Sequence, residues 1–537
     1  MNIMNEIIEA RRARIRKVGH EFGHEVPRLR GTPVVPFARS RPVSAGRGAT
    51  LPEAAALPAG GRGASPAAGA TSAGAAAPSR GAQPAQEGFL ICEIKRRSPS
   101  KGAIEEGLDA VAQAGLYAAR GVATVSVLTE EERFGGSLRD LIDIKRAHPS
   151  LSVLRKDFLI DPEDVDVSYR AGADAILLLA AALPAERLAA LYQRAAQLGM
   201  SCLVEVHSKE EVERIASLRP AYTGINARDL ASFAVDPIVP IATKRFITWP
   251  TRLVFESGIS AMEHAAFARA SGFDGILVGE SVVRDPSLIP GLFDGLSTPR
   301  AGFWERLYAR RPGPGGGAPA SAPAAPATRR RPLVKICGLR RVEDARLADE
   351  LGADILGFIF APSKRQADAE LVRAVGRTKA LKVGVVVLER GKTALAGPVR
   401  ALLEGGQLDA IQLHGDEAPE DCFSIAFPYY KALQLRNENE MERLGAYRCP
   451  RVLIDAFSAA ARGGTGTEVE ASLARAVAQR LPLWLAGGIG PDNVRTIVTE
   501  LRPELIDASS RLEAEIGRKD PSKLRAFFRE IAAACEE

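Results

Sequence analysis

One pattern of apolar and polar positions recurs along most of the chain. Short apolar runs rich in β-branched residues alternate with longer segments rich in Ala, Leu, Arg and Glu, which is typical of strands alternating with helices. The first half holds eight such runs: FLICEIK, VATVSVLTE, LSVLRKDF, ADAILLLAA, SCLVEVHS, YTGINARD, RLVFESG and DGILVGES. The second half holds eight more: PLVKICG, DILGFIF, LKVGVVVL, LDAIQLHG, YYKALQL, RVLIDAFS, LWLAGGIG and ELIDASS.

This alternation predicts an α/β fold with parallel strands, because each helix carries the chain back to the starting edge of the sheet. Eight units in roughly 200 residues fit a closed (βα)8 barrel better than an open, doubly wound sheet. We therefore predict two tandem (βα)8 (TIM) barrels.

Two segments lack the pattern. Residues 43–87 form a tract rich in Ala, Gly, Pro and Ser, a composition that predicts disorder. Residues 311–332 read RPGPGGGAPASAPAAPATRRRP and predict a flexible to semi-rigid linker. We assign residues 1–42, with the helical segment IIEARRARIRKV, to the first barrel as an extension. The barrels themselves are assigned to residues 88–310 and 333–537, and we expect each to bury its own core.

Composition narrows the class of protein only slightly. The formal net charge of +6 suits anionic small substrates as well as nucleic acid. Six cysteines without a C-x-x-C pair signal neither a zinc site nor a disulfide framework. The most apolar run, AILLLAAAL, is too short to cross a bilayer, and the N-terminus lacks the apolar core of a signal peptide. We expect a soluble protein in a reducing cytoplasm.

Polar residues close the apolar runs of the first half. In a (βα)8 barrel the active site lies at the carboxyl ends of the strands, here called the mouth. The candidates are Glu93, Lys95, Ser98, Lys156, Glu205, Asn226, Arg228, Glu256 and Ser257. Backbone groups after the seventh and eighth strands suit a phosphate, at Gly258, Gly279 and Glu280. So many charges at one mouth are costly to bury without a ligand, which indicates a site. We interpret His207 and His264 as structural.

These residues lie in motifs that resemble indole-3-glycerol phosphate synthases: ICEIKRRSPSKG, SVLTE with FGGS, LRKDF, LVEVH, GINARDL, ESGI and GES, in that order. That family cyclises a carboxyphenylamino-deoxyribulose phosphate with loss of carbon dioxide and water. The resemblance implies that Lys156 is the general acid, that Glu205 handles a later proton transfer, and that Glu93 and Lys95 flank the ring derived from anthranilate. The 43–87 tract and Ala227 depart from the family pattern.

The second half resembles phosphoribosylanthranilate isomerases from Val334 onward, through KICGLR, GFIFAPSKR, IQLHGDE, LIDAFSAAARGGTG, LAGGIG and IDASS. Their Amadori rearrangement needs one base and one acid, and the resemblance assigns these roles to Cys337 and Asp455. Lys335 and Arg340 would be the nearby cations that favour a thiolate at Cys337. The resemblance assigns substrate contacts to Arg365, His414 and Asp507, and phosphate contacts to Gly464, Gly466, Gly487, Gly488, Ser509 and Ser510. Arg511 stands where the family tends to carry a small residue.

The two activities would be consecutive steps of tryptophan synthesis on phosphorylated anthranilate derivatives. The sequence shows no metal-ligand constellation and no nucleotide-binding glycine loop, so we expect no metal, no cofactor, and neither a nucleic-acid nor a membrane partner. A monomer is compatible with the sequence. One rival is a Schiff-base, aldolase-like enzyme in which Lys156 attacks a carbonyl. The other is a nucleic-acid-binding module using KRRSPSK and the RRR at 329–331, although aromatic residues are lacking there.

Overall fold

The computed structural model describes most of the two predicted barrels. The described residues are 3–39, 88–98, 102–229, 233–297, 302–310, 331–388, 395–422, 425, 427–435, 438–455 and 466–536. The predicted 43–87 tract and residues 311–330 of the predicted linker lie outside them.

The first half contains ten strands and eleven helices among its described residues. The strands are β1 (Phe89–Ile94), β2 (Arg97–Ser98), β3 (Gly102–Ala103), β4 (Thr124–Leu128), β5 (Ser152–Lys156), β6 (Ala175–Leu179), β7 (Ser201–Val206), β8 (Tyr222–Asn226), β9 (Arg252–Glu256) and β10 (Gly275–Val278). The helices are α1 (Ile3–Val18), α2 (Ala110–Ala119), α3 (Leu138–Ala147), α4 (Pro162–Ala171), α5 (Ala185–Gln197), α6 (Lys209–Ile215), α7 (Ile238–Lys244), α8 (Met262–Ala270), α9 (Glu280–Arg284), α10 (Ile289–Leu296) and α11 (Phe303–Ala309).

The second half repeats this alternation. Its strands are β11 (Leu333–Ile336), β12 (Ile355–Ile359), β13 (Leu381–Val386), β14 (Ala410–Leu413), β15 (Tyr429–Leu433), β16 (Val452–Asp455), β17 (Trp484–Ala486), β18 (Leu505–Ala508), β19 (Glu513–Glu515) and β20 (Arg518–Lys519). Its helices are α12 (Val342–Glu350), α13 (Ala369–Val375), α14 (Gly397–Glu404), α15 (Pro419–Cys422), α16 (Gly466–Ala478), α17 (Val494–Leu501) and α18 (Pro521–Glu536). Short 3₁₀ helices span Pro286–Leu288, Glu438–Gly445 and Ser510–Leu512.

The strands form two closed parallel barrels. The first has the order β1-β10-β9-β8-β7-β6-β5-β4, and the second runs from β11 to β18 in sequence order before closing on itself. Each of the sixteen apolar runs contains one barrel strand, so the predicted fold is confirmed. Nearly every residue in these strands is buried, because the strands face packed side chains inside the barrel and helices outside it.

The N-terminal segment runs along the first barrel from its mouth to the opposite end. At the mouth, Arg11 of α1 donates to Asp157 at 2.6 Å and to Asp164 at 3.1 Å. At the other end, the Phe37 ring packs edge-on against Tyr222 at 5.0 Å, at the start of β8. The Arg252 guanidinium donates to the Ala38 carbonyl there at 2.9 Å. The predicted helical extension therefore closes the amino-terminal face of its own barrel.

The amino-terminal face of the second barrel is covered by α11, which belongs to the first half of the chain. Trp304 packs against Trp484 with ring centroids 5.9 Å apart, and Trp484 packs against Tyr430 at 5.0 Å. Buried residues of both halves form one continuous apolar cluster through this contact. The second barrel has a large core of its own, as expected, but the expectation is wrong at this face, where the two halves share one cluster. Its strands begin with large apolar side chains, and a helix from its neighbour shields them from water.

Within the described residues, no helix combines the length and the apolar character that crossing a membrane requires.

Candidate active sites

A cavity of about 840 Å³ opens at the mouth of the first barrel. It is lined by eleven of the twelve side chains or backbone positions predicted for this site: Glu93, Lys95, Ser98, Lys156, Glu205, Asn226, Arg228, Ser257, Gly258, Gly279 and Glu280. The twelfth, Glu256, is 1% exposed and contacts Lys156 from beneath the cavity wall. The residues predicted from the strand ends therefore lie together at one mouth.

Lys156 lies between two carboxylates of this site. Its Nζ lies 3.2 Å from Glu93 Oε2 and 3.2 Å from Glu256 Oε2, while Lys95 Nζ lies 2.8 Å from Glu93 Oε1. Burial alone would lower the pKa of Lys156, but the carboxylates raise it above its ordinary value. Burial opposes ionisation of Glu93, yet the two lysines lower its pKa to about 2. Lys156 is therefore held as an ammonium, a proton donor rather than a free amine.

Two further carboxyls, Glu205 and Glu256, share the same buried space. Burial and the neighbouring Glu205 raise the pKa of Glu256 well above the ordinary carboxyl range. Glu256 Oε1 accepts no hydrogen bond from the described residues, so it is the oxygen that can carry a proton. Glu205 instead accepts a 3.0 Å hydrogen bond from Asn226 and stays ionised. Of the two carboxyls, Glu256 is therefore the one that more readily holds a proton.

His207, which we interpreted as structural, touches this pair. Its Nε2 lies 3.2 Å from Glu205 Oε1, and its Nδ1 lies 3.2 Å from Glu211 Oε2. Burial would lower the pKa of His207, but the two carboxylates raise it to about 10. The sequence carried a signal, since residues two apart on a strand share a face and His207 follows Glu205 by two. His264 accepts a hydrogen bond from the Ser260 backbone N–H instead.

The glycines predicted to approach a phosphate lie beside these charges. A Cβ on Gly279 would come within 2.6 Å of Glu93 Oε1 and 3.0 Å of Lys95 Nζ, so a side chain there would displace these two charged groups. Ser257 and Gly258 both adopt positive φ, at 70° and 78°. Their backbone turns sharply at the end of β9 and lines the cavity.

In the second barrel, Cys337 follows β11 beside a buried ion pair. Lys335 Nζ lies 2.6 Å from Asp507 Oδ2, and the lysine is fully buried. Burial raises the pKa of Cys337, and Lys335 and Lys519 only partly oppose it. The nearby lysines favour the thiolate, as expected for Lys335, but burial outweighs them and the pKa of Cys337 is raised overall. Arg340 is exposed and donates to the Lys364 carbonyl, so Lys519 is the second cation near the thiol.

Asp455, the predicted acid, ends β16 and lies near His414. His414 Nε2 is 3.8 Å from Asp455 Oδ2, and its Nδ1 is 2.7 Å from Gln412 Nε2. Gln412 in turn accepts a hydrogen bond from Lys335. Burial lowers the pKa of His414, which favours the neutral ring. A polar chain thus runs across the barrel from the pair beside Cys337 to Asp455.

Arg365 lies at the same mouth and is paired through two hydrogen bonds with Glu513, both 2.8 Å long. A Cβ on Gly338 would meet Arg365 Cδ at 2.9 Å and Ser509 Oγ at 2.8 Å. The positive φ of Gly338, 72°, reinforces the need for glycine there. Arg365 and Ser509 therefore flank the turn that follows Cys337. Glu513, at the start of the β19–β20 hairpin, was not anticipated from the sequence.

The backbone predicted to bind phosphate in the second barrel is only partly described. Gly487 and Gly488 turn with φ of 92° and 61° after β17, and Ser510 begins a 3₁₀ helix after β18. Ser509 Oγ donates to the Cys337 carbonyl at 3.0 Å. Gly464 lies outside the described residues, and Gly466 is the first residue of α16. Arg511 donates to the Gly488 carbonyl and pairs with Asp492, so it braces this loop.

One cluster apart from the candidate site residues brings metal-binding side chain types together: His20, Asp161 and Asp164. Asp164 already accepts hydrogen bonds from Arg11 and His20 through Oδ1, and from the Ile160 and Asp161 backbone N–H groups through Oδ2. The cluster is therefore satisfied by the docking of the N-terminal segment.

Comparison with known families matches each barrel to a different enzyme family. Residues 77–289 match the family model described as "Indole-3-glycerol phosphate synthase". Residues 334–530 match the model described as "N-(5'phosphoribosyl)anthranilate (PRA) isomerase". Together the two matches cover most of the chain.

Some similar proteins match only part of this chain. The "Indole-3-glycerol phosphate synthase" of Geobacillus thermodenitrificans is 46% identical over 196 residues, which cover 36% of this chain and 76% of that protein. The crystal structure of phosphoribosyl anthranilate isomerase from Thermotoga maritima is 35% identical with a TM-score of 0.34, and the match covers 38% of this chain and 99% of that one.

Other relatives match both barrels at once. The "Multifunctional tryptophan biosynthesis protein" of Schizosaccharomyces pombe is 32% identical over 476 residues, covering 82% of this chain. The proteins of that name from Phycomyces blakesleeanus and Phanerodontia chrysosporium are 32% and 31% identical. The chain spans 59 to 62% of the length of these three relatives. The chain therefore belongs to both families, with an indole-3-glycerol phosphate synthase domain followed by a phosphoribosylanthranilate isomerase domain.

Proposed function

We propose that the protein catalyses two consecutive steps of tryptophan biosynthesis. The second barrel isomerises N-(5-phosphoribosyl)anthranilate to 1-(2-carboxyphenylamino)-1-deoxyribulose 5-phosphate. The first barrel then converts that product to indole-3-glycerol phosphate. The observation that carries the proposal is Lys156, a buried ammonium held between Glu93 and Glu256 in a cavity at the mouth of a synthase-family barrel.

In the synthase step, the aromatic ring carbon that bears the carboxylate attacks the ketone carbon. The carbonyl electrons move to its oxygen, which takes a proton from Lys156. The carboxylate then leaves as carbon dioxide, and its bonding electrons return to the ring. The new hydroxyl finally leaves as water while the ring system loses a proton.

The departing hydroxyl needs a second acid, and the Glu205–Glu256 pair supplies one. The raised pKa of Glu256 keeps a proton available near neutral pH, while the ionised Glu205 can accept one. Asn226, Arg228 and Ser257 line the cavity as substrate contacts, and the turns at Gly258 and Gly279 suit its phosphate.

In the isomerase step, Asp455 protonates the ribose ring oxygen, which leaves the anomeric carbon and opens the ring to an iminium. Cys337, as thiolate, removes the proton from C2, giving an enolamine that tautomerises to the ketone. Arg365 suits the anthranilate carboxylate, because Arg forms paired hydrogen bonds with carboxylates, as it does here with Glu513. Both steps rearrange electrons within the substrate, so we propose that neither uses a cofactor.

The rival functions fit the geometry less well. A Schiff-base lysine needs a lowered pKa to attack as a free amine, whereas the surrounding carboxylates raise that of Lys156. A nucleic-acid module would present free arginines, but Arg331 pairs with Asp354 at 2.9 Å and Arg96 with Asp140. We propose an enzyme that works in the cytoplasm on phosphorylated anthranilate derivatives.

A coupled assay tests both halves. Supplied with N-(5-phosphoribosyl)anthranilate alone, the purified protein should form indole-3-glycerol phosphate. Lys156→Met should accumulate the deoxyribulose intermediate, and Cys337→Ala should leave the starting compound unconsumed. Failure of the wild-type protein to consume either compound contradicts the proposal.

A further inference from the structure

Arg451 lies outside both candidate sites, at the amino-terminal face of the second barrel, immediately before β16. Its side chain is 4% exposed. The two terminal nitrogens donate to Asp236 Oδ1 at 2.8 Å and Oδ2 at 3.0 Å, and Nε donates to Glu504 Oε2 at 2.6 Å. One buried guanidinium therefore joins a carboxylate of the first barrel to a carboxylate of the second.

Asp236 belongs to the segment between β8 and α7, which also forms one wall of the synthase cavity. Its backbone N–H donates to the Ala227 carbonyl at 2.9 Å, directly after the end of β8. Its neighbour Val235 bridges to Arg228, and both line the cavity. The Asn226 side chain accepts from the Arg228 backbone N–H at 3.0 Å and donates to Glu205. A short series of contacts thus leads from Asp236 to the reacting groups.

Arg451, which holds Asp236, is itself held in place by residues around Glu504. Glu504 Oε2 also accepts hydrogen bonds from the Tyr308 hydroxyl and the Trp484 indole, both at 2.8 Å. Arg451 is consequently held on one side by a satisfied carboxylate and stacked at 5.7 Å from the Tyr308 ring. A buried arginine that forms two hydrogen bonds with one carboxylate has little conformational freedom. Arg451 therefore fixes the position of Asp236 relative to the amino-terminal face of the isomerase barrel.

We propose that Arg451 is a positioning residue for the synthase reaction, contributed by the isomerase barrel. By holding Asp236, it orders the wall that carries Arg228 and Val235 against the substrate. The inference rests on the proposed synthase function. Because this wall binds substrate while Lys156 lies on β5 across the cavity, loss of Arg451 should raise KM and leave kcat nearly unchanged.

The test uses the full chain with Arg451→Met, Arg451→Lys and Asp236→Asn, and with Arg475→Met as a matched control. Arg475 pairs with Glu500 on the exposed surface of the same barrel. We expect Arg451→Met to raise the synthase KM by about 5- to 30-fold, the effect of losing one or two kcal/mol of ordering. Synthase kcat and isomerase kcat/KM should stay within about twofold, and Arg451→Lys should recover part of the loss.

Two further measurements separate positioning from general damage. Asp236→Asn leaves the Arg451–Glu504 pair in place, so it should fold even where Arg451→Met does not, and it should raise KM similarly. Combining the two substitutions should add little, because they break the same contact. Hydrogen exchange at backbone amides 227–229 and 233–236 should quicken in both variants and not in the Arg475→Met control.

An unchanged synthase KM in folded Arg451→Met overturns the inference, as does a parallel loss of both activities. A wild-type protein without synthase activity contradicts the proposed function instead. Unchanged hydrogen exchange in residues 227–236 contradicts the inference whether or not the wild-type protein is active.

Discussion

The two barrels have the same architecture but close their amino-terminal faces with different pieces of the chain. The first barrel is closed by its own N-terminal segment, where Phe37 packs against Tyr222. The second is closed by α11 of the first half, where Trp304 packs against Trp484. Each barrel thus has an apolar core, but the amino-terminal face of the second is covered by residues of the first half. The dependence of the two halves on each other is accordingly unequal.

The two mouths also differ in the charged groups that they hold. In the first, lysines and carboxylates neutralise one another in a network that keeps Lys156 protonated. In the second, burial raises the pKa of the Cys337 thiol, because it outweighs the effect of the nearby lysines. The first mouth therefore holds an acid that is already protonated, Lys156. The second holds a base, Cys337, that must lose its proton before it can act. Substitutions in each barrel test this contrast.

The largest effect is expected at the isomerase acid and base. Cys337→Ala and Asp455→Ala should each lower isomerase turnover by about 10²- to 10⁴-fold, the range for a positioned acid or base. Synthase turnover should be unchanged, because neither side chain contacts the first barrel. The measurement is steady-state turnover of each step with its own substrate. Cys422→Ala, another buried thiol, is the control, and a comparable isomerase loss there would remove the case for Cys337.

Lys156→Met should lower synthase turnover by roughly 10²-fold or more, because it removes the acid while keeping most of the side-chain volume. Isomerase turnover should not change. Lys209→Met, at an exposed helical lysine, controls for loss of a positive charge. A folded Lys156→Met protein with near-normal synthase turnover would show that the ammonium is not the acid.

Because different segments cover the two amino-terminal faces, substitutions in those segments should affect the stability of the two barrels differently. Trp304→Ala should destabilise the second barrel by about 3–5 kcal/mol, as large-to-small core substitutions do. Phe37→Ala should destabilise the first barrel and spare the second. Denaturant unfolding followed through isomerase and synthase activity separately distinguishes the two. Equal loss of both activities in each variant would mean that the chain unfolds as one unit. The two covering segments would then not stabilise the two barrels separately.

The same contact bears on cutting the chain within residues 311–330. We expected two independent halves from the linker, but α11 stays with the first half and its apolar face covers the second. The fragments should remain associated after cleavage and separate only in denaturant or in Trp304→Ala. Size-exclusion chromatography of the cleaved protein measures this. Free, fully active fragments from the wild-type protein would show that α11 is dispensable.

The sequence predicted the strands and their terminal polar residues well, because a buried strand and its first polar residue are local features. Lys156 was predicted from its place at a strand end, whereas the roles of Cys337 and Asp455 follow from the family resemblance and stay predictions. Lys519 and Glu513 were missed, since they belong to a hairpin after the last strand and reach their site only through tertiary packing. Likewise, FWERLYA reads as an amphipathic helix, but no local pattern states which barrel its tryptophan covers.

The two mouths should also differ in the pH dependence of their reactions. Burial raises the pKa of Cys337, so the thiolate fraction, and with it isomerase kcat/KM, should rise up to about tenfold per pH unit from pH 6 to 9. The synthase needs a protonated Lys156, whose pKa is raised, and the proton on Glu256, whose pKa is raised as well. Its kcat/KM should therefore hold near neutrality and fall at alkaline pH, as Glu256 is the first of these acids to lose its proton. Glu256→Gln, which cannot titrate, should lower the rate and remove that fall, and a fall that persists in this variant would assign the alkaline limb to another group.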